Sequence, residues 1–424
     1  MSLAATFLGD AKSRLLPPSI PFRFFAAAAG FHILMWVGLL ADAGEAVGFR
    51  GGLGSTLAAV HLLTLGVLVM TAIGASVQLL PVATRRALVA VWPIKWVFWL
   101  TIPGLLALTG GMFTAQTDVL IPAAAVTAAG LLLFGGLLAD NLRRAQSLPV
   151  VAAYGWTALA ALGLVVVLGV VLAMDDEAGC LANHGAVALA HLILGGFGFM
   201  GLLALGFSHV LVPMFALAAA PPQRLSFCAF GLAAMAVPLG VVGAIADSTA
   251  ILTIAAIIGL AAAGLHVRLM FGTLKTGMRK RLGLSFILIR AAWLMLLATL
   301  IVGLATIHGW AGPNGPTLFG FLLFFGWLLT FLLGVLQRIM PFLASMHVSP
   351  PSGGMPPLMS ELAAATLLRV HAICHGVALV ILAAAIASDI VWLMQIGSAV
   401  GLVGALAFAW FTAAITRRIA SPRQ

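Results

Sequence analysis

Acidic residues are scarce in this chain: 11 Asp and Glu in 424 residues, against 21 Lys and Arg. Charged residues of both signs make up 8%, while hydrophobic residues make up 63%. A soluble domain of this size cannot bury so much apolar surface, so the composition excludes that class. Cysteine is nearly absent. Cys180, Cys228 and Cys374 are the three present, with no CxxC and no CxxCH, which excludes a thiol redox pair and covalent c-type haem. Every Asp and Glu lies at or near the end of an apolar run, which argues against a mid-membrane carboxylate relay or sodium site. No serine triad, phosphate-binding Gly loop or paired catalytic carboxylate can be assembled. The single tyrosine, Tyr154, stands near the start of an apolar run.

What fills the chain is apolar run after apolar run. About 20 apolar residues span the roughly 30 Å hydrocarbon core at about 1.5 Å per residue. Twelve such segments are read: Phe24–Leu40, Ser55–Pro81, Trp92–Thr109, Val119–Leu138, Val151–Ala173, Ala186–Leu217, Cys228–Ala246, Ala250–Phe271, Leu284–Ile307, Leu318–Met346, Leu362–Ala387 and Ile390–Ile415. The fold class is therefore an all-α membrane protein, a single integral membrane domain over residues 1–424. No loop is long enough to fold by itself. Pro350 opens the segment PPSGGMPP, a linker without helix potential.

The few charges orient the bundle. With both termini on the cytoplasmic side, twenty of the 21 Lys and Arg fall inside, Arg50 being the exception. Eight of the 11 acids fall outside: Asp42, Glu45, Asp118, Asp175, Asp176, Glu177, Asp247 and Asp389. That is the positive-inside pattern. The +10 net charge thus reports orientation and anionic-lipid contact, and no nucleic-acid partner is implied. The expected location is the inner (plasma) membrane, multi-pass, with the lipid bilayer as partner. Ala41-Asp42-Ala43 resembles a signal-peptide cleavage site, but the stretch of about 23 residues before the first apolar run is long for a signal n-region. That stretch, to Arg23, is read as a short basic cytoplasmic arm, and Met174 to His184 as an acidic outer loop.

One spacing recurs. Gly66, Gly74 and Pro81 are matched by Gly198, Gly206 and Pro213, then by Gly326, Gly334 and Pro341, with offsets of 132 and 128 residues. The chain reads as three pseudo-repeated four-helix units at approximately 24–140, 151–272 and 284–416. Small residues at such spacing allow helices to approach closely.

Histidine is the one chemically versatile residue type well represented in the apolar runs. His61 and His191 lie roughly 9 Å inside the outer ends of the second and sixth segments, at about 1.5 Å per residue. His371 and His375, four apart, share one face of the eleventh, and His32 is near the middle of the first. His209 and His266 lie near inner ends; His184, His308 and His347 are in loops. Neutral imidazole is the usual ligand for haem iron, zinc and copper, but an isolated membrane histidine is more often an interhelical hydrogen-bonder than a ligand, and five at similar depths shift that balance. Arg290, Arg338 and Arg369, one to two turns inside their helices, read as snorkelling to lipid phosphate or as partners of a buried anion.

Twelve helices in three units, with His61 in VHLLTLGVLVMTAIGASVQLLPV near the outer end of the second, resemble the haem–copper oxidase subunit I fold. The runs HLILGGFGFMGLLALGFSHVLVPMFAL and GVLQRIMPFLASMH are similar to oxidase-like membrane proteins, and NnrS, a haem- and copper-containing protein linked to nitric oxide, is a relative in the same sense. The chain lacks the NnrS WHxHE-type cluster. The resemblance implies haem b, with His61 as one axial ligand and His371 or His375 as the other, and His191 and His32 available to a second haem or copper. It also implies a quinol or cytochrome electron partner. The tenth segment has no histidine before His347, the sixth has no histidine–tyrosine copper pair and the seventh no His-His pair. The dinuclear gas-reducing centre of that family is therefore not expected. An electron-transfer or nitric-oxide-related redox role is the expectation, and a transporter of a metal or small solute is the alternative.

Overall fold

The structure, a computed structural model, describes residues 15–84, 86–88, 90–145, 148–279, 281–347, 362 and 364–420. Among them there is no strand, and twelve helices are long and apolar enough to cross a membrane. They are α1 Ser19–Ala41, α2 Ser55–Ala83, α3 Trp92–Thr114, α4 Thr117–Arg144, α5 Pro149–Ala178, α6 His184–Ala216, α7 Gln223–Ile245, α8 Thr249–Thr276, α9 Leu284–Ile307, α10 Gly315–His347, α11 Ala365–Ser388 and α12 Val391–Ala420. A short helix, Ala43–Val47, lies between α1 and α2. The twelve runs read from the sequence are these twelve helices. Some loop assignments shift. Arg23 is already in α1, and Met174–Ala178 close α5 rather than open a loop, because the apolar run carries the helix through its polar end. The PPSGGMPP segment lies outside the described residues.

Helix packing follows chain order with one offset. Consecutive helices α3–α4–α5–α6 pack as one arc and α7–α8–α9–α10 as a second. The third is closed across the termini, α11–α12–α1–α2. The last helix of each arc is the innermost. About 67, 61 and 78% of the apolar windows of α2, α6 and α10 are buried by protein, against 22–50% for the other nine. The two faces of these three helices both meet protein, so their sequences need no polar stripe.

Each of the three central helices contains an eight-residue π-helical stretch, at Leu62–Val69, Leu194–Gly201 and Leu322–Leu329. Their first residues are 194 − 62 = 132 and 322 − 194 = 128 residues apart, the same offsets as the glycines. A π stretch rotates the residues beyond it and is common at functional sites. The second glycine of each set is a place where the preceding helix comes very close. A Cβ on Gly74 would stand 2.7 Å from Phe25 of α1, one on Gly206 2.7 Å from Tyr154 of α5, and one on Gly334 2.8 Å from the Ser285 carbonyl of α9.

The start of α2 is fixed by an acid. Glu45 accepts from the Ser55 N–H at 3.1 Å, the Ser55 hydroxyl at 2.7 Å and the Thr56 N–H at 3.3 Å. A carboxylate there satisfies orphan donors of the helix N-terminus and favours its positive end. At the far end of the same helix, Asn141 of α4 ties Thr84 at 3.2 Å and the Arg86 carbonyl at 3.1 Å. Asp140 pairs with Arg144 at 2.6 Å and Arg143 at 3.2 Å beside it.

Candidate functional site

The helical histidines sort into three groups, one for each place where an arc closes on a central helix. The first group is His32 of α1 with His371 and His375 of α11. Ring centroids are 6.2 Å apart for His32–His371 and 6.0 Å for His371–His375, whose planes are within 12° of parallel. All three are buried. Their nitrogens are largely engaged. Trp36 Nε1–H donates to His32 Nε2 at 3.0 Å, His375 Nε2 meets the Thr330 hydroxyl at 2.7 Å, and His371 Nδ1 meets Gln337 Nε2 at 3.1 Å. His32 Nδ1 and His371 Nε2 are buried without partners. The shared face of the i, i+4 pair was legible from spacing; Trp36, Thr330 and Gln337, which hold the pair to α1 and α10, carried no signal of their own.

The second group is His61 of α2 and His191 of α6, close enough to interact electrostatically. His61 Nδ1 bonds the Leu57 carbonyl of its own helix at 3.0 Å. Nδ1 thus donates, which fixes the tautomer and leaves Nε2 with its lone pair. His191 keeps Nδ1 buried without a partner. Its ring is admitted by Gly169, where a Cβ would stand 3.1 Å from His191 Cε1. Both histidines adjoin the π stretches, which begin one residue after His61 and three after His191. Both are only half-buried, as are Leu57, Leu62 and Leu65 on α2 and Val165, Val166 and Leu168 on α5. At this end the core divides: Ala58, Leu108 and Leu120 belong to one satellite cluster, and Ala190, Ile193 and Ala244 to another.

The third group is His209 of α6 and His266 of α8, with ring centroids 5.6 Å apart, between Tyr154 and Trp293.

The sequence expectation set His61 together with His371 or His375. In the structure, His371 and His375 gather around His32, and His61 is grouped with His191. His32 and His191, the expected copper donors, fall in different groups. Among the described residues no group of three or more His, Cys, Asp or Glu is placed to hold a metal ion. A porphyrin fits these groups unequally. Beside His32 and His371, Phe408 packs 4.9 Å from His371 and 6.4 Å from His32, centroid to centroid, and Trp36 already holds His32 Nε2. His371 and His375 stand on one helix, so a macrocycle held between them would cut through that helix. His61 and His191 come from different helices, keep one ring nitrogen each for a ligand bond, and stand among half-buried apolar side chains. That donor set and that setting fit haem. Two small pockets, beside Tyr154 and beside Asn141, hold about 10 Å³ each, room for about one water.

Of the three arginines, Arg290 and Arg369 are exposed on the bundle surface. Arg338 lies 5.6 Å over the Phe215 ring, with its Nε buried and unpartnered. His184, read as a loop residue, opens α6, and His347 closes α10; His184 pairs with Asp175 at 2.7 Å, and in the loop after α9 His308 stacks on Trp310 at 4.8 Å. His347 reaches the Leu16 carbonyl at 3.1 Å.

Compared with protein-family models and with curated proteins, the chain matches none. The class defined by fold and site is an all-α, multi-pass membrane protein with buried histidine clusters.

Proposed function

We propose that this chain is a haem-binding integral membrane protein on a scaffold like haem–copper oxidase subunit I, with an electron-transfer or nitric-oxide-related redox role. Three arcs of four helices closing on α2, α6 and α10 support the scaffold. The coincident offsets of glycines and π stretches support three repeat units. The sorting of Lys and Arg supports cytoplasmic termini in a plasma membrane. The single observation that carries the haem is His61: its Nδ1 is tied to Leu57 and its Nε2 is free, with His191 of α6 within electrostatic reach.

His61 and His191 would hold the iron. The haem, when bound, supplies one-electron chemistry. The protein's part is orientation and exclusion. The Leu57 carbonyl holds the His61 ring in one tautomer and makes it a better donor, as a second-shell carbonyl does. The apolar side chains of α2 and α5 keep water from the site. Neither the tenth helix nor the seventh offers the histidines of a dinuclear centre, so electron transfer without gas reduction is the reading.

An absorption spectrum of the purified, dithionite-reduced protein expressed with ample haem tests this. A low-spin b-type spectrum is expected, lost in His61→Ala and lost or converted to a five-coordinate form in His191→Ala. His371→Ala is expected to keep it. Absence of a Soret band, or a normal spectrum in His61→Ala, would overturn the assignment. Loss in His371→Ala with retention in His191→Ala would move the second ligand to α11.

A further inference from the structure

The third histidine group belongs to no role assigned so far, and it is the part of the molecule with the most unmet polar chemistry. Tyr154 of α5, His209 of α6, His266 of α8 and Trp293 of α9 form a continuous chain of rings. Successive centroids are 5.8, 5.6 and 6.4 Å apart. Four helices contribute one ring each. All are buried, with exposures of 1, 7, 0 and 1%.

Five of their polar atoms have no hydrogen-bond partner: Tyr154 Oη, His209 Nε2, both nitrogens of His266, and Trp293 Nε1. Each unmet buried group is destabilising, and native proteins rarely leave one, let alone five in a row. Direct pairing within the chain does not relieve them, because no hydrogen bond joins any two of the four side chains. A guest that accepts imidazole lone pairs would meet two of the five, His209 Nε2 and one nitrogen of His266.

The thioether of Met270 adds a second, independent observation. Met270 is one turn beyond His266 on α8, fully buried, and therefore on the same face. Imidazole with thioether is a soft, uncharged donor set, and thioether selects monovalent copper over the harder divalent ions. Two imidazoles sharing a metal at roughly 2.0–2.1 Å from each nitrogen have ring centres roughly 5–6 Å apart. The His209–His266 separation of 5.6 Å falls in that window. A neutral donor set also suits a singly charged ion in a low-dielectric interior better than a doubly charged one.

We propose that His209, His266 and Met270 bind one Cu(I) ion at the α6–α8 contact, a site separate from the His61–His191 pair. The imidazoles bind as neutral ligands, so no proton is released. Gly206 is part of the construction: a side chain there would strike Tyr154 at 2.7 Å and push it off His209.

The test uses the full-length protein in detergent, loaded anaerobically with Cu(I) against the chelator bicinchoninate, desalted, and measured for bound copper and by X-ray absorption. Wild type is expected to keep one Cu(I) with two imidazole nitrogens and one sulfur around it. His209→Ala and His266→Ala are expected to weaken retention by at least about tenfold, as loss of a ligand must if outer-shell losses already cost about 10–100-fold. His61→Ala and His371→Ala are expected to keep that copper. Met270→Leu, a swap that cores tolerate, is expected to lose the sulfur while the protein stays monodisperse, so it decides the matter even if the histidine variants aggregate. The proposal is overturned if wild type keeps no copper against the chelator, if His209→Ala or His266→Ala retains it like wild type, or if the sulfur survives in Met270→Leu. Because the haem test reads a Soret band and this one reads copper, either can fail without the other.

Discussion

His61 is useful only if its helix starts in the right place, and that start rests on one carboxylate. Glu45 accepts three bonds from Ser55 and Thr56, and the histidine follows six residues after Ser55. Glu45→Ala removes a charged acceptor from two orphan N–H groups and a hydroxyl. It is expected to cost about 1–3 kcal/mol, read as a lowered Tm in detergent. It is also expected to broaden the spectrum of a haem on His61, while Glu45→Gln, which keeps an acceptor, loses less of both. Thr330 belongs to the same scale. Its hydroxyl meets His375 Nε2 at 2.7 Å in a dry setting. Thr330→Val leaves that imidazole unpartnered and is expected to destabilise by about 1–3 kcal/mol without changing the haem spectrum. A spectrum altered in Thr330→Val would tie α11 to the haem after all.

The three central helices share more than a spacing. Each has its π stretch at the same offset, and each receives the preceding helix at its second glycine. The six glycines differ in how much they are needed. A Cβ on Gly206 would be 2.7 Å from the Tyr154 Cβ, whereas one on Gly326 meets nothing nearer than 3.5 Å. Gly206→Val therefore overpacks the α5–α6 contact and is expected to cost about 3 kcal/mol or more. Gly326→Ala is expected to be nearly neutral. Yield of monodisperse protein and Tm separate the two, and equal behaviour would mean that the repeat is not kept for close helix approach. The glycines were visible in the sequence because a missing side chain is written there. The π stretches were not, because Leu62–Val69 and Leu322–Leu329 have the same apolar composition as any α-helical span, and their hydrogen-bond shift is a response to what packs on them.

Over the whole molecule, twelve spans and a strong charge asymmetry predict topology. Reporter fusions after Arg86 and after Arg281 are expected to read cytoplasmic, and a fusion near Asp176 external; an inverted result at any of the three breaks the orientation. The same scale bears on activity. The arcs bring histidines to three separate places, none with the histidine set of a dinuclear centre. Purified protein with a quinol or cytochrome donor is therefore expected to show no steady-state reduction of oxygen or nitric oxide, and turnover of either gas would refute the electron-transfer reading.

The sequence by itself determined the number of spans, the approximate ends of each and the positions of the close-packing glycines. Hydropathy and side-chain size are local properties, summed along one helix at a time. It also picked out His61, His191, His32, His371 and His375, since an imidazole in hydrocarbon is conspicuous wherever it points. Which imidazole meets which was decided by tertiary structure alone. The third arc closes α11 and α12 onto α1 and α2, across the full length of the chain, and so carries His371 and His375 to His32. The packing of α5 on α2 sets the surroundings of His61, and the contact of α6 with α8 creates the His209–His266 pair. Spacing within a helix says which residues share a face; only the packing of helices says what that face meets.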